Sequence, residues 1–229
     1  YGNCAGAFLN TPEGGTFTLC QDFNGKSRLE FPIDPTLLQA RATGIVKSAT
    51  LDLAGHAFTS TLDGNSADLI VIDSGADVTI KGGSLTAIGD LAHMALPEDN
   101  NGNAALTLED VTATSSSDDY LIVSNGSTDN INITVRDSTL TATGANTVAI
   151  FAPAGGDSIV TLDNAIIKSP YGVQVCAGDL FVKGNTQITT TAANVASTKT
   201  GDGPIPDGAA ISIVDRAGYG DDATTGSSI

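Results

Sequence analysis

Few residues of this sequence have the types and spacing that catalysis requires. His56 and His93 are the only histidines, so a zinc site built on three histidines is excluded. His56 follows a turn glycine, where a hydrogen bond that stabilises the turn explains it. Asp118 and Asp119 are adjacent carboxylates, but neighbouring strand residues point to opposite faces, and paired acid–base chemistry needs groups that face each other. We therefore assign no catalytic and no cofactor-binding residue from the sequence.

The acidic loop Pro97–Asn103 is the candidate for cation binding. Its carboxylate and amide oxygens are ligands of the kind that Ca²⁺ prefers, but their spacing matches no defined calcium loop. A solvated turn is the simpler interpretation. We therefore assign no metal-binding residue and keep Ca²⁺ as an alternative. This loop and Ala196–Gly208 are the longest polar excursions, and such loops are where solenoids usually carry binding determinants.

The three cysteines allow at most one internal disulfide. Cys4 and Cys20 bracket a segment rich in proline and glycine that could fold back on itself, so we predict a Cys4–Cys20 bridge, in keeping with an extracellular setting. Cys176 lies in an apolar run and is interpreted as a small buried residue rather than a nucleophile.

The elements that must position such residues come from a repeat. Six segments share one alternation of apolar and outward positions, with starting residues separated by 27, 28, 27, 27 and 20 residues, which is typical of repeat architectures. Positions in each copy are counted from its starting residue, which is position zero. Positions zero and two are apolar in every copy, which predicts the inward face of a strand. The starting residues are Leu51, Val78, Leu106, Ile133, Val160 and Leu180, and position two holds Leu53, Ile80, Leu108, Val135, Leu162 and Val182.

Position four predicts a turn, because it holds only Gly, Asp and Asn, which accept positive φ at the least steric cost. At position seven the inward set resumes, with a delay of one residue in the sixth copy that predicts a bulge. A third apolar run completes each interval. The turn residues are Gly55, Gly82, Asp110, Asp137, Asn164 and Gly184; position seven holds Phe58, Leu85, Ala113, Leu140, Ile167 and, delayed, Ile188; the third runs are Leu69–Ile72, Met94–Leu96, Leu121–Val123, Val148–Phe151, Val173–Val175 and Ile211–Val214.

The outward positions carry threonine and alternating charge. Stacked strands lie about 4.8 Å apart, so opposite charges in neighbouring copies would touch and would penalise a slip in register. Regular threonine arrays also occur on ice-binding proteins, but this one is interrupted at Lys168, and the strand preference of threonine explains it. Position three holds Ala54, Lys81, Glu109, Arg136, Asp163 and Lys183.

Three short strands per interval predict an all-β fold, a parallel β-helix (β-solenoid) of roughly six rungs that forms one continuous unit. Residues 1–46 do not follow the repeat and are predicted to form an N-terminal cap, with strand character at Thr16–Leu19 and a short helical turn at Pro35–Ala40. Residues 47–229 are predicted to form the β-helix. We expect it to be truncated at its C-terminal end, because Gly220–Ile229 is small and polar.

Composition limits the partners. Acidic residues outnumber basic ones 26 to 10, for a net charge of −16, and Lys and Arg form no cluster, so nucleic acid and anionic membranes are poor partners. No apolar run approaches the ~20 residues that cross a bilayer, which argues against membrane insertion. Tyr1 is not followed by a signal segment, so we expect a mature or excised piece.

The repeat resembles the right-handed parallel β-helix of the pectate-lyase-like superfamily, and the handedness is implied by that resemblance. The segments Thr50–Phe58 and Val78–Thr86 are similar to coils of large, repetitive bacterial surface proteins. Lyases of this superfamily have a groove with clustered aspartates, a metal ion and an Arg or Lys base. Here Arg136 lies in the column of alternating charges at position three, which we call the charge column, rather than in a groove of this kind. The Asp-Asp and His-Gly arrangements of its polygalacturonases are not both present here.

The resemblance and the exposed columns together lead to two functional hypotheses. The first is a non-enzymatic, extracellular segment of a bacterial surface protein, an adhesin or stalk that binds a host or microbial protein or glycan. The alternative is a polysaccharide lyase or glycoside hydrolase of the same architecture. The first is favoured because aromatic residues, which stack on sugars, are only 5% of the chain, and no acid–base pair is evident.

Overall fold

The computed structural model describes residues 14–31, 48–64, 67–72, 75–94, 104–124, 130–153, 158–192 and 209–213. Within these ranges the protein is all-β, with nineteen strands and no helix. The predicted helical turn at 35–40 lies outside them. The strands are β1 (Thr16–Thr18), β2 (Phe23–Gly25), β3 (Leu29–Phe31), β4 (Ser48–Asp52), β5 (Ala57–Ser60), β6 (Ile70–Ile72), β7 (Asp77–Ala87), β8 (Ala92–Met94), β9 (Ala104–Ser115), β10 (Tyr120–Ser124), β11 (Ile131–Arg136), β12 (Thr139–Ala142), β13 (Val148–Ala152), β14 (Ile159–Asp163), β15 (Ile166–Ser169), β16 (Tyr171–Val175), β17 (Asp179–Lys183), β18 (Gln187–Thr190) and β19 (Ile211–Ile213).

The strands form two sheets, in which every pairing between described strands is parallel. The larger sheet has twelve strands, with the order β1-β4-β7-β9-β11-β14-β17 and the additional strands β2, β5, β12, β15 and β18 beside that path. The smaller sheet has seven, in the order β19-β16-β13-β10-β8-β6-β3. Each strand therefore pairs with its counterpart in the next copy of the repeat, after the chain has passed through the other sheet. Parallel pairing needs such a long return connection, which each repeat supplies.

The register confirms positions zero and two for five of the six copies. Val78 pairs with Leu106, and Ile80 with Leu108, and the alignment continues to Leu180 and Val182. Most of these inward side chains are buried. The first copy differs from the predicted alignment by two residues, because Leu51 pairs with Ile80 rather than with Val78.

Two extra residues in the turn of the first copy explain this error. Leu51 and Phe58 are seven residues apart, whereas their partners Ile80 and Leu85 are five apart. Leu53, at the start of the longer turn, is also fully buried and packs over Gly83, where an added Cβ would come within 2.6 Å of the Leu53 Cβ. A pattern of period two looks the same after a shift of two residues, so the apolar alternation could not detect the insertion.

The predicted turn position is confirmed in register in five copies, and in the longer turn of the first copy the predicted Gly55 also has positive φ, as does Ala54 before it. Each of its residues has positive φ, although three of them are not glycine. Short polar side chains that bond locally tolerate this conformation best, which is why Asp and Asn replace glycine there. The φ angles are 84° at Gly55, 69° at Gly82, 53° at Asp110, 48° at Asp137, 51° at Asn164 and 61° at Gly184.

Position seven is confirmed as well. Phe58, Leu85, Ala113, Leu140 and Ile167 follow one another in register. Ile188 pairs with Ile167 although it stands one residue later in its own copy. The extra residue expected in the sixth copy is therefore present, in the turn at Gly184.

The charge column alternates over six strands. Its first member is Asp52, not Ala54 as the misaligned first copy predicted, and Asp52 pairs with Lys81. The Lys81 Nζ lies 3.6 Å from the Asp52 carboxylate, and the Arg136 Nε lies 3.9 Å from that of Asp163. Each such exposed pair contributes only ~0.2–1 kcal/mol, but a slip by one strand would bring like charges together. The column runs Asp52, Lys81, Glu109, Arg136, Asp163 and Lys183.

The third apolar runs form the smaller sheet, although the strand of the second one is Ala92–Met94 rather than the predicted Met94–Leu96, of which only Met94 is described. Both faces of its central strands are covered, since all five residues of β13 and of β16 are buried. A small cluster that includes Val123, Phe151 and Tyr171 lies apart from the main core, and the Tyr120 ring stacks on Phe151 at 5.6 Å. Cys176 belongs to this cluster and is buried, as its position in an apolar run indicated.

The N-terminal region contributes a turn of chain that the sequence analysis left out of the repeat. The strands β1, β2 and β3 pair in parallel with β4, β5 and β6. The strand expected at 16–19 is present as Thr16–Thr18, and the Phe23 ring stacks on Phe58 at 4.5 Å. The pattern was missed because Phe17 and its partner Leu51 are 34 residues apart, a longer step than in the other copies. Residues 1–13 and 32–47 lie outside the described ranges, so the division at residue 46 stays a prediction.

Candidate functional site

An acidic pocket opens at the corner between the two sheets. It has a volume of about 410 Å³ and spans three consecutive turns of the chain. Asp68 and Asp90 come from the first two corners, His93 from β8, and Asp118 and Asp119 from the loop before β10. Its described lining residues include no Lys or Arg; they are Gly64, Ala67, Asp68, Ile88, Gly89, Asp90, His93, Ser116, Ser117, Asp118 and Asp119.

The register of the smaller sheet brings these side chains together. Ile70 pairs with Ala92, and Ala92 with Ile122. Asp68 and Asp90 each stand two residues before these paired positions, just ahead of β6 and β8, and the Leu69 N–H donates to the Asp90 carbonyl oxygen at 2.9 Å, so the two corners lie side by side. Neither aspartate belongs to one of the predicted apolar runs, so neither was a candidate site residue. Aligning Ile70 with Ala92 would have placed them side by side.

Asp90 is the most perturbed carboxyl group of the pocket. Its Oδ1 accepts a hydrogen bond from the Ser117 hydroxyl and another, at 3.2 Å, from the Tyr120 N–H. Burial raises the pKa of Asp90 to about 6, reinforced by the nearby charges of Asp68 and Asp119, while the two hydrogen bonds act in the opposite direction. A carboxyl group that titrates near neutrality can donate or accept a proton under physiological conditions.

Serine side chains join the corner at 87–90 to the loop at 115–120. The Ser115 hydroxyl donates to the Gly89 carbonyl oxygen at 2.6 Å and accepts the Ser117 N–H at 3.0 Å. Ser115 is completely buried and pairs on either side with Ala87 and Ala142, whose small side chains leave the hydroxyl room. These bonds satisfy polar groups that the turn of the chain would otherwise bury unpaired.

The remaining polar side chains line the mouth of the pocket. The His93 Nδ1 lies 3.5 Å from the Asp68 carboxylate, and Asp68 is largely buried. Asp118 is exposed, and its carboxylate accepts the Ala145 N–H at 2.6 Å, which ties this loop to the next corner. Asp119 is also exposed. The adjacent aspartates and His93, which the sequence analysis examined separately, therefore meet in one place.

The other residues considered from the sequence lie elsewhere. The His56 Nδ1 lies 3.2 Å from the Asp22 carboxylate, which also accepts the Ala57 N–H at 3.0 Å, so His56 supports a turn. These contacts hold the pKa of Asp22 below its usual value, chiefly through the Ala57 N–H. Cys20 is exposed and Cys4 lies outside the described residues, so their disulfide stays a prediction. The loops 97–103 and 196–208 also lie outside, and with them the Ca²⁺ alternative.

Across the described part of the chain, no three His, Cys, Asp or Glu side chains are close enough to hold a metal ion. Within the same ranges, no helix has the length and apolar character needed to cross a bilayer. No family model matches the chain, and comparison with curated proteins and with solved structures found no match. The resemblance to the pectate-lyase-like superfamily therefore stays a prediction.

Proposed function

We propose that this chain is a right-handed parallel β-helix of the pectate-lyase-like type and serves as an extracellular segment of a bacterial surface protein. In this role it is an adhesin or stalk that binds a host or microbial protein or glycan without chemical turnover. The observation that carries the proposal is the unbroken parallel register of seven strands, β1 to β17, with matched charge and turn columns. Such a stack is stiff along its length and displays loops at its corners, as binding solenoids do.

The exposed columns also favour binding over catalysis. In the charge column, each charged side chain stands beside one of opposite sign in the next strand. A column of threonines follows the observed register through Thr16, Thr50, Thr79, Thr107, Thr134 and Thr161. The strand preference of threonine explains the threonine column and the register of the strands explains the charge column, and neither column supplies an acid and a base for catalysis. The acidic pocket is therefore the part of the described surface with the chemistry for a ligand. Its carboxylates accept hydrogen bonds, so they suit hydroxyl or ammonium groups of a glycan or protein.

A second candidate function, glycoside hydrolysis, is favoured by one observation. Asp90, with a pKa of about 6, lines the pocket together with Asp68 and Asp119. A carboxyl group that holds its proton near neutrality can act as the general acid of such a reaction, with a second carboxylate as the base. A lyase mechanism is less suited, because the described lining lacks the Arg or Lys base.

A glycan and polysaccharide panel distinguishes these functions. The full chain is tested with and without Ca²⁺, and both saturable binding and released products are measured. We expect binding without products, weakened in Asp90→Asn and Asp119→Asn and unchanged in the control Asp77→Asn, an exposed carboxylate on β7 that does not line the pocket.

Product release that is lost in Asp90→Asn or Asp119→Asn would establish the hydrolase instead. Absence of saturable binding to every glycan and to host or microbial surface proteins would contradict both functions.

A further inference from the structure

In the corner formed by residues 87–90 and 115–120, here the Asp90 corner, Ser115 and Ser116 bond the start of the loop to backbone oxygens of residues 87–89, and one carboxyl group holds its later part. Asp90 Oδ1 accepts both the Ser117 hydroxyl and the Tyr120 N–H. The Ser117 oxygen in turn accepts the Asp119 N–H at 3.0 Å. Asp90 therefore holds the end of the loop that leads into β10.

The surroundings of Asp90 oppose a negative charge. The described titratable groups that face it across the pocket are Asp68, His93, Asp118 and Asp119. Asp68 and Asp119 repel an ionised Asp90. His93 lies beside Asp68, at 3.5 Å, rather than at a hydrogen-bonding distance from Asp90. An ionised Asp90 is thus both partly desolvated and among like charges.

We propose that the Asp90 corner is a proton-dependent latch, in which the protonated carboxyl group keeps residues 115–120 closed and the ionised carboxylate favours their opening. Opening relieves the ionised group because it brings water to the carboxylate, and the adjoining pocket already connects the corner to solvent. The latch concerns the corner itself and goes beyond the proposed function, since it does not depend on the identity of any ligand.

The direction of the effect follows from proton binding. The pKa of Asp90 is raised from 3.8 to about 6 in the closed corner, so between these values the closed form holds a proton that the open form has released. The closed form keeps its full stability below pH 3.8 and loses stability as the pH rises through about 6. If opening restores the ordinary pKa, the equilibrium constant for opening rises by a factor on the order of 100 over this range.

Amide hydrogen exchange on the full chain tests the latch. The opening constant at the Tyr120 amide is measured from about pH 4 to pH 7.5, after correction for the intrinsic exchange rate. We expect a rise on the order of 100-fold in the native protein and a nearly flat profile in Asp90→Asn, which keeps the acceptor oxygen but cannot ionise. The Ile166 amide, bonded to the Ser138 carbonyl oxygen in another corner, is the internal reference.

Two further variants make the test specific. Asp118→Asn removes an exposed carboxylate of the same loop that does not shift Asp90, so it should retain the full pH dependence. Asp119→Asn removes the smallest of the effects that raise the pKa of Asp90, behind burial and Asp68, so it should reduce the rise only slightly. The latch would be refuted by an equal rise in Asp90→Asn or by a Tyr120 opening constant independent of pH in the native protein, and this second outcome decides the test even if Asp90→Asn does not fold.

Discussion

Replacement of Gly82 by valine isolates the cost of the turn conformation. Gly82 has φ of 69°, and an added Cβ would meet only the Asp52 carboxylate, at 3.4 Å, which is ordinary van der Waals contact. The first carbon of a side chain therefore meets no steric obstacle at this position. The obstacle is the left-handed backbone, which costs an L-residue about 1–2 kcal/mol and suits a β-branched residue least.

The chain offers two matched controls for this substitution. Gly82→Asn introduces a side chain of the type found at Asn164, the same turn position three copies later, where φ is 51°. It should therefore be less destabilising than valine. Thr86→Val introduces valine into the same strand at an exposed position, where surface changes usually stay within ~0.5 kcal/mol.

Thermal and urea unfolding measure the difference. A loss of about 1–2 kcal/mol lowers the Tm of a chain of this size by roughly 2–8 °C, so Gly82→Val should separate clearly from both controls. If Gly82→Val and Gly82→Asn lost equal stability, the cost would come from adding any side chain. If Gly82→Val and Thr86→Val gave equal shifts, the assignment of position four as a strained turn would be refuted.

Two further predictions concern the charge column and the cysteines. Arg136→Asp places three acidic residues in adjacent strands, with Glu109 and Asp163 on either side, and should cost about 0.5–2 kcal/mol in urea unfolding at low salt and less at high salt. The neutral control Arg136→Gln removes the same positive charge without placing a carboxylate beside Glu109 and Asp163, so it should cost less, and equal losses in the two variants would show that charge repulsion in the column has no energetic role. Titration of thiols in denaturant without reductant should find one free thiol if Cys4 and Cys20 form a disulfide, whereas three would disprove the bridge.

The periodic features of this fold could be predicted from the sequence because each is repeated in copy after copy. The inward apolar rows, the turn position and the extra residue before Ile188 could each be recognised by comparing one copy with its neighbours, although the extra residue lies in the turn rather than in a strand bulge. The pattern of a single copy would fit either a strand or a loop. The same pattern repeated in five or six copies at a regular spacing predicts a strand. The alternation of sign along the charge column could be predicted for the same reason.

The first copy and the N-terminal turn show where this reasoning failed. The alternation of period two is unchanged by a shift of two residues, so only the observed pairing of Leu51 with Ile80 revealed the longer turn. The turn of chain at 14–31 was missed because its distance to the next copy differs from the regular step, although its strands pair in the same register.

The acidic pocket was decided by the tertiary structure alone. Asp68, Asp90 and Asp119 come from three different corners, and it is the observed pairing of Ile70 with Ala92 and of Ala92 with Ile122 that shows which residues of these corners lie side by side. The sequence determined which residues could ionise. Only the folded chain determined that Asp90 would be partly desolvated, bonded to Ser117 and Tyr120 and placed among like charges, because burial and electrostatic environment depend on which corners the register stacks together.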